Sequence, residues 1–163
     1  MTLLVFGLLL LFFAFWVVIA ITTSYFVGMW KVFVKSGKEG WEGLIPYYNV
    51  FKIIEIVGRS KWWFGPFLLS AILYFIQMFI GFVGQLLFRG TLADVFVVLD
   101  IIATAISLIA WIPLSIDLAK VFGKNWLFGL GTAIFPFIFL MILGFGSATY
   151  VGPRFPNDGS AST

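Results

Sequence analysis

The first charged side chain in this sequence is Lys31. Ahead of it, Leu3 to Trp30 is an apolar run with no acid or base to hold it at a water-facing surface. As a helix this run covers about 40 Å, more than the roughly 30 Å hydrocarbon core of a bilayer. It must therefore tilt or project from the membrane. A secretory signal peptide fits poorly. Met1 to Leu11 carries no Lys or Arg, the run exceeds the usual h-region of about 7–15 residues, and no A-x-A site follows. A retained transmembrane helix is the expectation.

The rest of the chain has the same character. Of 163 residues, 62% are hydrophobic and 10% charged, against about 45–50% and about 25% in an ordinary soluble domain. That composition excludes both a water-soluble fold and a disordered chain. Cysteine and histidine are absent, which removes disulfides, thiolate metal sites, the cysteine nucleophile and the commonest general base. The net charge of +3 does not indicate a nucleic-acid partner, because the bases sit beside apolar spans, where membrane topology accounts for them.

The expected fold is an all-α membrane protein with four transmembrane helices, over about 3–30, 64–88, 95–118 and 126–145. A single helical domain covers 1–150, and 151–163 reads as a disordered tail. Pro113 and Pro136 fall inside the third and fourth spans and are tolerated where neighbours satisfy the freed carbonyls. Gly81, Gly84, Gly129, Gly131, Gly144 and Gly146 are candidates for close helix packing. A short amphipathic interfacial helix is expected over 46–57. Val50, Ile53, Ile54 and Val57 recur at helical spacing, with Asn49, Lys52 and Glu55 on the other face.

Eight bases (Lys31, Lys35, Lys38, Lys52, Arg59, Lys61, Lys120 and Lys124) group on one side of these spans, against Arg89 and Arg154 on the other. The positive-inside bias then places both termini outside an inner membrane and the 31–61 region in the cytoplasm. Gly37-Lys38, Gly58-Arg59 and Gly123-Lys124 each pair a glycine with a base shortly before a tryptophan. An ancestral repeat is one reading; helix boundaries at the cytoplasmic face are the simpler one.

Few residues can carry chemistry. Asp100 lies inside the third span, where a carboxylate is costly. It is the candidate intramembrane polar site, with Gln77 or Gln85 as hydrogen-bonding partners. Asp117 has Lys120 at i+3 and reads as a local ion pair, as do Lys52 and Glu55. An aspartic dyad is excluded by spacing, since Asp100 and Asp117 lie about 25 Å apart on one helix. Ser115 and Lys120 face about 140° apart on that helix. No metal-binding, Walker A or dinucleotide motif is present, so no catalytic residue, metal or cofactor is expected, and the chain reads as non-enzymatic.

Certain phrases are more specific than hydropathy requires. They are Gly37-Lys38-x-Gly40-Trp41-x-x-Leu44-Ile45-Pro46-x-Tyr48-Asn49, Arg59-x-x-Trp62-Trp63, Leu118-Ala119-Lys120-x-Phe122-Gly123-Lys124, and Leu143-Gly144-Phe145-Gly146 with Tyr150. Across about 30–150 they resemble a bacterial family of small multi-pass membrane proteins of unknown function. A similar module occurs fused ahead of type I signal peptidase in Bacteroidetes. The resemblance reaches no peptidase residue and implies no activity. It makes Gly37, Lys38, Trp41, Pro46, Tyr48, Asn49, Asp117, Lys120 and Lys124 the candidate cytoplasmic interaction motif. The expected role is an accessory or subunit of a membrane assembly with a link to protein export. Its partners would be the bilayer and another membrane protein or a second copy. The alternative is a small proton- or cation-coupled transporter or channel unit using Asp100.

Overall fold

Long apolar runs propagate as long helices, and three do so here. The computed structural model describes residues 2–87 and 93–155, with side chains from Leu4 to Phe82 and from Val95 to Phe155. Among these residues the order is α1 (Thr2–Lys35), a 3₁₀ turn (Gly40–Gly43), α2 (Tyr48–Val57), a second 3₁₀ turn (Lys61–Phe64), α3 (Gly65–Leu87), α4 (Ala93–Val121), α5 (Trp126–Ile134) and α6 (Pro136–Phe145). All regular structure among the described residues is helical. Three segments are long and apolar enough to cross a membrane: Leu4–Lys35, Lys61–Phe82 and Val95–Val121. Arg89 and 156–163 lie outside the described residues, as does the side chain of Gln85.

The expected fourth span is two short helices. Pro136 opens α6 at its first turn, where the missing N–H costs nothing. It also drives Phe135 out of helical geometry, to φ −125° and ψ 63°. The chain then turns back. α5 packs on α4, and α6 packs on α1. Val151 donates to the Val121 carbonyl at 2.8 Å, so the chain leaving α6 returns to the end of α4 from which α5 began. Each arm is about 15 Å long, half the hydrocarbon core. Pro113, by contrast, is absorbed inside α4.

Glycine makes this hairpin fit. A Cβ on Gly28 would stand 2.8 Å from the Met141 amide, and one on Gly144 would stand 2.7 Å from Lys31 Cβ. α1 and α6 thus lie parallel and nearly in backbone contact. Gly129 does the same for α5 against Ile116 of α4. Gly81 does not belong to this set, because a Cβ there would meet open space; that part of α3 has no neighbour close enough to need a glycine.

The core gathers at one end. Met29 and Phe33 of α1, Ile53 and Val57 of α2, Leu114 and Leu118 of α4, and Leu140 and Leu143 of α6 are buried together. Away from it, every large side chain from Leu4 to Ile21 is exposed, as are most of those from Phe75 to Phe82 and from Val95 to Ile102. An apolar surface of that extent is compatible with lipid and not with water.

α2 begins at Tyr48 rather than Pro46, because Tyr47 adopts φ 63°. The Tyr48 amide donates back to the Pro46 carbonyl at 2.8 Å, closing a γ-turn of the strained, positive-φ kind. Ile53, Ile54 and Val57 face the core as their spacing predicts. Asn49, expected on the polar face, is buried instead and donates to the Gly43 carbonyl at 3.3 Å.

The glycine–base echo has a structural cause. After α1, α2 and α4 a glycine (Gly37, Gly58, Gly123) takes φ of 76°, 79° and 70°. The following base donates its amide back across the last turn, from Lys38 to Phe33, from Arg59 to Ile54 and from Lys124 to Ala119. This is one helix stop used three times, with a cation near the negative end of each helix. Residues 151–155, expected in the tail, are held: the Arg154 amide donates to the Val57 carbonyl at 2.9 Å. Phe155 therefore sits at the Lys35 end of the bundle, and Leu4 lies at the far end of α1.

Candidate functional site

Polar side chains collect where α1, α2, α4 and the segment after α6 meet. The loop after α1 is tight because its glycines admit close neighbours. A Cβ on Gly40 would overlap the Trp30 indole, and one on Gly43 would press on Met29. The 3₁₀ turn therefore folds onto the last turns of α1 and carries Glu42 against α2. Glu42 Oε1 lies 3.2 Å from Lys52 Nζ and accepts from the Tyr48 hydroxyl at 3.2 Å. Lys52 also reaches Glu55 at 3.0 Å, and Lys38 reaches Glu55 at 3.2 Å. The Tyr48 ring stacks on Trp41, 6.1 Å between centroids.

The charges of this cluster balance, two acids against two bases. Hydrogen bonding to Glu55 raises the Lys52 ammonium above its ordinary value, against a smaller opposing effect of burial. Burial pushes the Glu55 carboxyl up, but Lys52 and Lys38 outweigh it and hold the group below its ordinary value.

Asp117 forms the second cluster. It is 2% exposed and is gripped by two guanidiniums. Arg59 donates through Nε to Oδ2 at 2.6 Å, and Arg154 donates to Oδ1. Arg59 lies 3.9 Å from the centroid of the Trp63 ring and 5.2 Å from that of Phe155. Planar guanidinium suits both contacts at once. The i+3 pair with Lys120 does not form, because Asp117 turns inward toward bases 58 and 37 positions away. Beside it, the Tyr150 hydroxyl donates to the Ile56 carbonyl at 2.7 Å, and burial raises its phenol.

The sequence-derived motif is thus divided. Lys38, Trp41, Tyr48 and Asn49 join the first cluster, and Asp117 joins the second. Gly37 and Pro46 shape backbone; Lys120 is half-buried and Lys124 lies over the Phe128 ring at 5.9 Å. Asp100 is exposed and belongs to neither cluster. The Gln77 amide donates to the Phe96 carbonyl at 3.3 Å rather than to Asp100. Among the described residues no group of three acids could hold a metal ion. Glu42, Arg59 and Arg154 were missed as site residues, and so was Lys35. Its ammonium donates to the carbonyls of Leu143, Gly146 and Ala148 at 2.9, 2.6 and 3.0 Å, closing the C-terminus of α6. Their type was the available signal, since a charged side chain beside an apolar span needs a partner.

Both carboxylates of the first cluster and the one of the second have cations on their oxygens. Such groups fasten elements together; they do not present a free base. No curated protein and no solved structure matches the chain. The model of a family of unknown function matches residues 41–153, from Trp41 in the first cluster to the residue before Arg154 in the second. That match takes in α2 to α6 and most of the polar end, and the chain belongs to this family of unknown function, DUF5684.

Proposed function

We propose that the chain is a polytopic inner-membrane protein with three spans and one half-depth hairpin, acting as a non-enzymatic accessory subunit of a membrane assembly. The observation that carries this reading is the division of labour along α1. Its last turns bury Met29, Val32 and Phe33 in the core, while every large side chain from Leu4 to Ile21 is exposed. A helix apolar all round is suited to lipid and to lateral association with other spans. The cation-paired carboxylates of Glu42, Glu55 and Asp117 at the opposite end supply rigidity rather than a free base.

Orientation follows from the bases. With Arg154 on the same end as Lys35, nine bases share that end, against Arg89. The positive-inside rule puts this end in the cytoplasm, with Leu4 outside and Phe155 inside. This proposal departs from the expectation of two outward termini, because Arg154 lies at the Lys35 end. Protein export is the process we assign, on the resemblance to modules fused ahead of signal peptidase. The transport alternative draws less support. Asp100 is about 25 Å along α4 from Asp117, which brings it near the outer boundary of the hydrocarbon rather than its centre.

The test is purification of the full chain in mild detergent. A stoichiometric membrane-protein partner is expected, lost when Leu8, Leu11 and Phe15 are changed to alanine. A chain that purifies alone from native membranes, and whose Asp100→Asn variant abolishes proton or cation flux in vesicles, would overturn the reading in favour of transport.

A further inference from the structure

An apolar groove of about 440 Å³ opens between the Lys61–Phe64 turn and α4. Trp62 and Trp63 line it from the turn, and Ile106, Ile109 and Ala110 line it from α4. Ser60 supplies its polar side chain. Ala110 and Ile106 precede Asp117 by about 10 and 16 Å along α4. The groove therefore starts beside the Arg59–Asp117 contact and runs away from the basic end into the apolar part of the bundle.

Bases flank it: Arg59 stacks at 3.9 Å on Trp63, which lines the groove, and Lys61 lies next in sequence to the lining residues Ser60 and Trp62. Arg59 and Arg154 bring two positive charges to the single carboxylate of Asp117, so that cluster keeps one net positive charge. Lys61 stands between Ser60 and Trp62 in sequence, is exposed, and makes no ion pair among the described residues. Trp62 is 89% exposed and presents an amphipathic ring of the kind that settles at headgroup level. An apolar channel leading inward from flanking bases at the membrane boundary matches one chemistry: an acyl chain joined to an anionic headgroup.

We propose that this groove is a binding site for an anionic phospholipid. One acyl chain lies between Trp62 and Ile109, and the phosphate is held by the Lys61 ammonium and the Ser60 hydroxyl. The site rests on the membrane reading above but is independent of any protein partner. A base near an anionic lipid surface is worth about fivefold in affinity. A zwitterionic lipid of the same chain length gains the groove without the whole of that factor.

The experiment is native mass spectrometry of the delipidated full chain in mild detergent, offered equimolar phosphatidylglycerol and phosphatidylcholine. Phosphatidylglycerol should be retained preferentially. Lys61→Gln should cut that preference about fivefold and lower phosphatidylcholine retention less, because choline already offsets the charge of its phosphate. Ile109→Trp, at a position 73% exposed, should fill the groove and lower retention of both lipids. Both variants should match the wild type in helicity and elution volume. Equal retention of the two lipids, or a preference that neither variant alters, would overturn the proposal. Displacement of the lipid by excess inorganic phosphate would overturn it too, marking a site for the free anion. A chain that stays monomeric in buffer without detergent and binds no lipid would overturn the membrane reading as well.

Discussion

The Lys35 ammonium lies 2.9 Å from the Leu143 carbonyl oxygen, joining the last turn of α1 to the last turn of α6. The same nitrogen serves Gly146 and Ala148. Helix ends leave carbonyls without partners, and here a cation from a parallel neighbour supplies them. Lys35→Met should remove about 2 kcal/mol of stability, since it strands acceptors in a partly buried setting. Thermal unfolding in detergent measures this; an unchanged midpoint would mean that water replaces the ammonium without loss.

Asp117 predicts a graded series. Its side chain is 3% exposed, that of Arg59 16% and that of Arg154 42%. Asp117→Asn leaves two guanidiniums without their shared anion and should cost about 3 kcal/mol. Arg154→Gln removes a half-exposed partner and should cost about 1 kcal/mol or less. Chemical unfolding of the three proteins side by side checks the order, and equal losses would contradict it.

Glycines in the spans should divide into two kinds. Gly28→Ala puts a methyl 2.8 Å from the Met141 amide and 2.9 Å from the Leu140 carbonyl carbon. Backbone cannot rotate away as a side chain can, so a loss of about 1–3 kcal/mol is expected. Gly81→Ala meets open space and should be neutral or slightly stabilising, alanine being the better helix former. Unfolding midpoints that move together would show that these positions are not distinguished by packing.

The Glu42–Lys52–Glu55 network sets a pH window. Glu55 is held below its ordinary value of 4.5, so its contribution is present above that value and fades as pH falls through the lowered one. Lys52 is raised above its ordinary 10.5, so its contribution is full below that value and fades as pH rises further. Stability should be level between about pH 5 and pH 10 as far as this cluster is concerned. Lys52→Met should reduce the acid-side decline, because Glu55 loses a partner that lowers it. A variant with the same acid limb as the wild type would contradict the assignment.

Single cysteines give a direct test of the hairpin, since the chain has none of its own. Thr149 and Glu39 are exposed at the basic end. Thr149→Cys and Glu39→Cys should both be shielded from impermeant reagent in intact cells, and Leu4→Cys should be labelled. Labelling at Thr149 from outside would restore a fourth span.

The sequence was most legible where structure is local. Gly37, Gly58 and Gly123 stop helices through backbone geometry that their own neighbourhood dictates, and Ile53, Ile54 and Val57 turn inward as their spacing requires. The partners of Asp117 were not legible, because Lys120 is the only base within helical reach and the true partners come from other elements. Pro113 and Pro136 show the same limit. One is absorbed and the other breaks its helix, and the difference lies in the neighbours: Gly28, Gly129 and Gly144 let the broken arms nest against α1 and α4. Hydropathy records that 126–145 is apolar and carries no information on its direction.

The turn at Phe135 and Pro136 also bears on how the protein is made. Because α5 and α6 leave and return at one end, the described residues after α4 would need no polar segment carried across the bilayer in the proposed topology. The hairpin seats between α1 and α4, so its slot exists only once both have been inserted. On the orientation proposed above, docking of the C-terminal quarter is expected to come late and from the ribosome's own side, after Lys35 and Asp117 are in place.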